Sequence, residues 1–161
     1  MDRVVPSLYE WLGGYDVLEK LTTHFYEKVL RDDLLYELFK DMSPEHTKHV
    51  AMFLAEVVGG PANYSSSQGG HAHMLKRHFG RKITQEQRGR WVALLLESAD
   101  ELRLPDDPEF RSALVAYLEW GSRLAVINSQ LDASTSADNS IPIPHWGWGV
   151  PGGPYIPPKE S

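Results

Sequence analysis

From residue 7 to about residue 130 one arrangement repeats along the chain: a polar cap, an apolar stripe, then a glycine or proline stop. The apolar residues step by threes and fours, which places them on one face of a helix. The two-residue alternation of a half-buried strand never takes hold, and no Asn-Gly or Asp-Gly hairpin turn occurs. The pattern predicts an all-α protein. Ser7 caps a short first helix, LYEWL, and Gly13-Gly14 ends it, because glycine accepts the left-handed turn. Leu18, Leu21, Phe25 and Val29 mark a helix from about Tyr15 to Arg31, with Tyr26 beside the stripe. Asp32-Asp33 precedes a short turn through Leu35, Leu38 and Phe39. Ser43-Pro44-Glu45 is a start signal for a helix carrying Val50, Phe53, Leu54 and Val57, which Gly59-Gly60-Pro61 stops.

Residues 63–73, NYSSSQGGHAH, read as a polar loop before a short helical stretch from Met74 to His78. Thr84-x-x-Gln87 is a capping box for a long helix with Trp91, Leu94, Leu95 and Leu102 facing inward. Pro105 to Pro108 breaks the chain, and a last helix carries Phe110, Leu114, Tyr117, Leu118, Gly121, Leu124, Ala125 and Asn128. Beyond residue 131 the helical period is lost. The segment is rich in Ser, Pro, Gly and Trp and cannot build a core of its own. The reading therefore divides the chain into a helical domain, 1–131, and an extension, 132–161. Trp146, Trp148 and Tyr155 either dock on the domain's own surface or form a polyproline-like ligand for a partner, and self-docking is favoured because free tryptophans on a tail are a liability.

The whole chain has 161 residues, enough for one core. Its net charge of -6 gives no electrostatic attraction to nucleic acid or an anionic membrane. With no cysteine, disulfides, thiolate zinc sites and a cysteine nucleophile are excluded. The N-terminal stretch has no apolar core of the kind a signal peptide needs, and no apolar run approaches a membrane span, so a cytoplasmic protein is expected. No P-loop, HExxH or GxSxG sequence is present, and GWGVPG at Gly147–Gly152 is a chance match to a dinucleotide motif because no strand precedes it.

Histidine is then the natural ligand. His78 lies between a glycine-rich loop and a long helix, where an imidazole can offer one ring nitrogen to a metal while the other bonds a carbonyl. Tyr26 and Trp91 can donate hydrogen bonds into an apolar pocket, although from spacing alone a tyrosine and a tryptophan on helix stripes are usually core residues. A zinc site from His71, His73 and His78 is the competing reading, and it lacks an obvious fourth ligand. A di-iron bundle needs Glu-x-x-His pairs, and Glu45 and His49 are four apart rather than three.

Several stretches match together: Gly13-Gly14, His24-Phe25-Tyr26, Phe39, Met52-Phe53-Leu54, Gly59-Gly60-Pro61-Ala62-Asn63-Tyr64-Ser65, Lys76-Arg77-His78, and Trp91 thirteen residues later. As a set they resemble the bacterial-type truncated hemoglobins of group II. The resemblance covers residues 7–130 and implies a truncated globin fold, two helices over two around heme b (iron protoporphyrin IX), followed by a non-helical tail. It implies His78 as the proximal iron ligand, and Tyr26, Trp91 and His46 around the distal ligand. Phe39, Val50, Phe53 and Leu54 become heme contacts, and Arg77 and His49 partners for the propionates. The implied partners are the diatomic gases O2, CO and NO, in a monomer or homodimer. Oxygen binding and oxygen transport are the implied roles, and a polar distal pocket that slows release favours scavenging, sensing or redox chemistry over bulk transport. The enzymatic alternative is peroxidase-type turnover or NO dioxygenation, which would need a separate reductase.

Overall fold

The computed structural model describes residues 4–68, 70–132, 134, 143–149 and 153–154, without the side chains of Gln68, His71 and Ala72. Eight helices follow in order among them, and no strand. They are α1 (Leu8–Leu12), α2 (Tyr15–Val29), α3 (Tyr36–Phe39), α4 (His46–Val57), α5 (Asn63–Gln68), α6 (Gly70–Lys76), α7 (Gln85–Glu101) and α8 (Pro108–Ser129). α2 packs against α4 and also against α7, and α7 packs against α8. The result is two helices over two, with α5 packed on α4 and α6 packed on α5. No described helix is long and apolar enough to cross a membrane.

The caps behave as their sequences predict. Ser7 and Glu10 form a reciprocal capping box on α1, and Thr84 and Gln87 form one on α7. Asp107 caps α8 through the Phe110 N–H at 3.0 Å, with Pro108 where its missing N–H costs nothing. Gly13 ends α1 at φ 113°, a left-handed backbone that only glycine adopts freely. Gly60 serves a different purpose. A Cβ there would stand 2.6 Å from the Tyr9 ring and 2.8 Å from the Ala55 carbonyl, so only glycine lets α1 settle on the end of α4.

Three expectations are corrected. α4 begins two residues later than the Ser43-Pro44 signal implies: Ser43 Oγ accepts the Glu45 N–H and caps a turn that leads into the helix. Leu102 does not face inward; it is 38% exposed, just past the end of α7. The stretch 63–73 is not a loop but holds α5 and most of α6. Tertiary contacts make it helical. Tyr64 is buried against Phe53, and the buried Glu56 carboxylate accepts the Ser65 N–H at 2.9 Å and the Ser65 hydroxyl. That carboxylate satisfies an amide that the first turn of a helix leaves without an internal partner.

The core gathers Leu18, Leu21, Phe25 and Val29 of α2 with Ala51, Leu54 and Val57 of α4 and Leu94, Leu95 and Ala99 of α7. The link between α6 and α7 is tied to the end of α8. The Lys82 N–H donates to the Ser129 carbonyl at 2.9 Å and the Ile83 N–H to the Ser129 hydroxyl at 2.9 Å. Residues 143–149 pack back onto the helices, so Trp146 and Trp148 dock on the chain itself; Tyr155 lies outside the described residues.

Candidate functional site

A cavity of about 500 Å3 opens among α2, α3, α4, α7, α8 and the turn after α6. That volume lies within the ~300–1,000 Å3 usual for small-molecule and cofactor sites. The local rules above decide what faces it. Tyr26 sits beside the buried stripe of α2, His46 opens α4, and Trp91 lies on the second turn of α7 after its capping box. Phe39 comes from α3; His49, Val50, Phe53 and Leu54 come from successive turns of α4. Arg77 and His78 lie on the turn just past α6, not within a helix as the sequence pattern implies, with the His78 N–H bonded to the Leu75 carbonyl at 3.0 Å. Every one of these ten residues lines the same cavity.

Aromatic rings organise one wall. Tyr26 packs 4.8 Å from Phe25 and 5.6 Å from Phe39, between ring centroids, and Trp91 meets Phe25 edge-on at 5.2 Å. His46 lies 4.8 Å from the Tyr26 ring and 6.0 Å from Phe39. Tyr26 is 3% exposed, and burial holds its hydroxyl far from ionisation, although the Trp91 indole and the Arg77 guanidinium pull the other way. It is a phenol that donates, never a phenolate.

His46 carries a more specific message. Burial, with the positive charge of Arg77 next and His49, Arg81 and His78 behind it, lowers its pKa to about 4. The ring is therefore neutral near pH 7. Its Nδ1 faces an Arg77 guanidinium nitrogen at a long 3.5 Å. Guanidinium can only donate, so Nδ1 accepts and the ring proton sits on Nε2. That Nε2 is buried on the cavity wall with no hydrogen-bond partner.

Tyr64 is a site residue that the sequence reading passed over. It is 1% exposed, its hydroxyl is buried without a partner, and it lines the cavity. Burial raises its pKa to about 12, with Arg77 opposing. Its place in Gly59-Gly60-Pro61-Ala62-Asn63-Tyr64 was the available signal. Tyr117, Trp120 and Gly121 of α8 close another side.

Among the described residues, no three His, Asp or Glu side chains converge to hold a metal ion; the side chain of His71, part of the zinc reading, lies outside them. A bare cation would find too few donors here. A planar tetrapyrrole brings its own equatorial nitrogens, and needs one imidazole, an apolar cavity and polar groups at its edges. The cavity fits that group: imidazoles, His78 among them, line it, and the buried Nε2 of His46 and hydroxyl of Tyr64 have no acceptor or donor from protein.

A profile of the bacterial-like globin family matches residues 7–120. The chain belongs to that family. As a globin it is a heme protein, and its fold is that of the truncated hemoglobins. It is 28% identical over 136 residues to the group 2 truncated hemoglobin YjbI of Bacillus subtilis, which covers 84% of this chain and 100% of that protein. The solved truncated oxygen-avid haemoglobin from Bacillus subtilis superposes with a TM-score of 0.67 at 30% identity, covering 75% of this globin and 99% of that chain. The group II truncated hemoglobin from Bacillus anthracis does so with a TM-score of 0.70 at 23% identity, covering 77% and 93%, and supports the fold alone.

Proposed function

We propose that this globin reversibly binds dioxygen, and with it other diatomic ligands such as carbon monoxide and nitric oxide, at heme b ligated by His78. When bound, heme would supply an iron that can take up a gas, and His78 would hold it. His78 offers its imidazole from a turn tied to Leu75. Tyr64 and Arg77 are the candidate donors to the heme carboxylates, with His49 beside them on the cavity wall. Phe39, Val50, Phe53 and Leu54 line the cavity and would exclude water from the ring.

The candidate donors to the gas are the Tyr26 hydroxyl, the Trp91 indole N–H, which is hydrogen-bonded to Tyr26, and the His46 Nε2–H. The observation that carries the reading is the last of these. A buried N–H without a partner costs about 1–3 kcal/mol, and a ligand with partial negative charge supplies the missing acceptor. Dioxygen polarises in that way far more than carbon monoxide does. Each donor that contributes ~1.4 kcal/mol slows release about tenfold at constant association rate. Three together suit slow release, and so scavenging, sensing or redox chemistry rather than bulk carriage. The relative described as oxygen-avid supports the same direction.

The test is a gas titration of the reduced, hemin-loaded protein. Reversible spectral conversion with dioxygen and with carbon monoxide is expected. Rapid irreversible oxidation under dioxygen, with no spectrum that vacuum or carbon monoxide can reverse, would overturn the assignment.

A further inference from the structure

The segment 143–149 lies outside the stretch that the globin profile matches, yet it meets the globin helices at three places. Ile143 is 4% exposed within the core. The Trp146 backbone N–H donates to the Val57 carbonyl at the end of α4, at 2.7 Å. Its indole lies 5.5 Å from the Tyr117 ring and 5.7 Å from the Trp120 ring, both on α8. Trp148 donates its Nε1–H to the Pro6 carbonyl at 2.8 Å and meets Trp11 edge-on at 5.9 Å. One residue therefore bridges α4 to α8, and a second fastens the segment to the N-terminal end of the chain.

Between Ile143 and Trp146 sits Pro144, and Pro144 lines the large cavity together with Leu54 of α4 and Tyr117 and Trp120 of α8. A tail that only tacked itself to the surface would not reach the cavity lining. This one contributes a rigid ring to it, because proline holds φ near −65° and has little freedom left to lose when it is fixed. The aromatic pairs of Trp146 supply the attachment, since such pairs stabilise beyond the area they bury.

We propose that residues 143–148 form the wall of the cavity between the end of α4 and α8. Pro144 bounds the space and Trp146 anchors it. The wall limits how fast a gas reaches the cavity and how readily heme leaves it. Pro144 and Trp146 are thus positioning residues for the cavity's contents, supplied from outside the matched globin stretch. The inference rests on the heme-globin reading for the identity of those contents.

The experiment compares the full chain with Trp146→Ala and Pro144→Trp. Three rates are read: carbon monoxide association with the reduced protein, hemin transfer to excess apomyoglobin, and uptake of ANS, an anionic dye that fluoresces in apolar cavities, by the heme-free chain. In Trp146→Ala all three rise by about tenfold, the order of change that loss of its ring contacts with Tyr117 and Trp120 corresponds to. In Pro144→Trp a larger ring crowds the same wall, and carbon monoxide association and dye uptake fall several-fold while the far-ultraviolet circular dichroism stays unchanged. Rates within about twofold of the parent chain in both variants overturn the proposal. If Trp146→Ala does not fold, unchanged rates in Pro144→Trp overturn it alone. A parent chain that takes up no hemin overturns the functional reading instead, and dye uptake still decides whether the wall exists.

Discussion

Replacing Tyr26 by phenylalanine removes one oxygen atom and leaves the ring where Phe25, Phe39 and His46 hold it, at 4.8, 5.6 and 4.8 Å. The site is 3% exposed, so water does not replace the lost donor. A hydrogen bond to a ligand bearing partial charge is worth about 1.5–3 kcal/mol, which converts to roughly a 10- to 150-fold faster release of dioxygen. Association should hardly change, because the hydroxyl acts on the ligand once it has arrived. Carbon monoxide, a weak acceptor, is the internal control and should leave at nearly its original rate. The assay is stopped-flow displacement of dioxygen by excess carbon monoxide, followed in the Soret band. A dioxygen release rate within about threefold of the parent, with the spectrum intact, would remove Tyr26 from the ligand's hydrogen-bond set and refute the three-donor argument.

The pH behaviour of His46 has a definite sign. Its folded-state pKa of about 4 lies below the ordinary 6.5, so the unfolded chain takes up a proton first as pH falls. This group therefore costs no stability above pH 6.5 and erodes it progressively toward pH 4, by up to roughly 3 kcal/mol. Urea unfolding of the heme-free chain at several pH values should show a flatter acid limb in His46→Gln. Glu56→Ala should cost about 1–2 kcal/mol, because the Ser65 amide at the start of α5 loses its acceptor, and Glu56→Gln should cost less; urea midpoints check both. Gly60→Ala should cost about 1–3 kcal/mol by driving a methyl group into the Tyr9 ring and the Ala55 carbonyl, read as a lowered thermal midpoint.

Where a signal was local, the sequence made it legible. Ser7 with Glu10, Thr84 with Gln87, and Asp107 before Pro108 each satisfy amides within four residues, so helix starts could be read from neighbours alone. The candidate site was legible for a different reason: the residues that line it match a family pattern, and spacing alone left Tyr26 and Trp91 indistinguishable from ordinary core. What stayed hidden depends on distant contacts. α5 and α6 have no apolar stripe to announce them, and it is Tyr64 against Phe53 and the buried Glu56 that order them. Glu56 reads as a surface carboxylate until its partner Ser65 is brought round to it. The tail shows no period, and its attachment depends on the Val57 carbonyl and the α8 rings, 89 and 29 or fewer residues away in sequence.

The account stands on one bond, from the imidazole of His78 to a heme iron. Visible absorption of the reduced, hemin-loaded protein tests it directly, with His78→Gly measured before and after free imidazole is added. The glycine variant should hold heme weakly with an altered band, and added imidazole should return the parental spectrum. A variant whose band and hemin affinity equal those of the parent without any added imidazole would contradict the account.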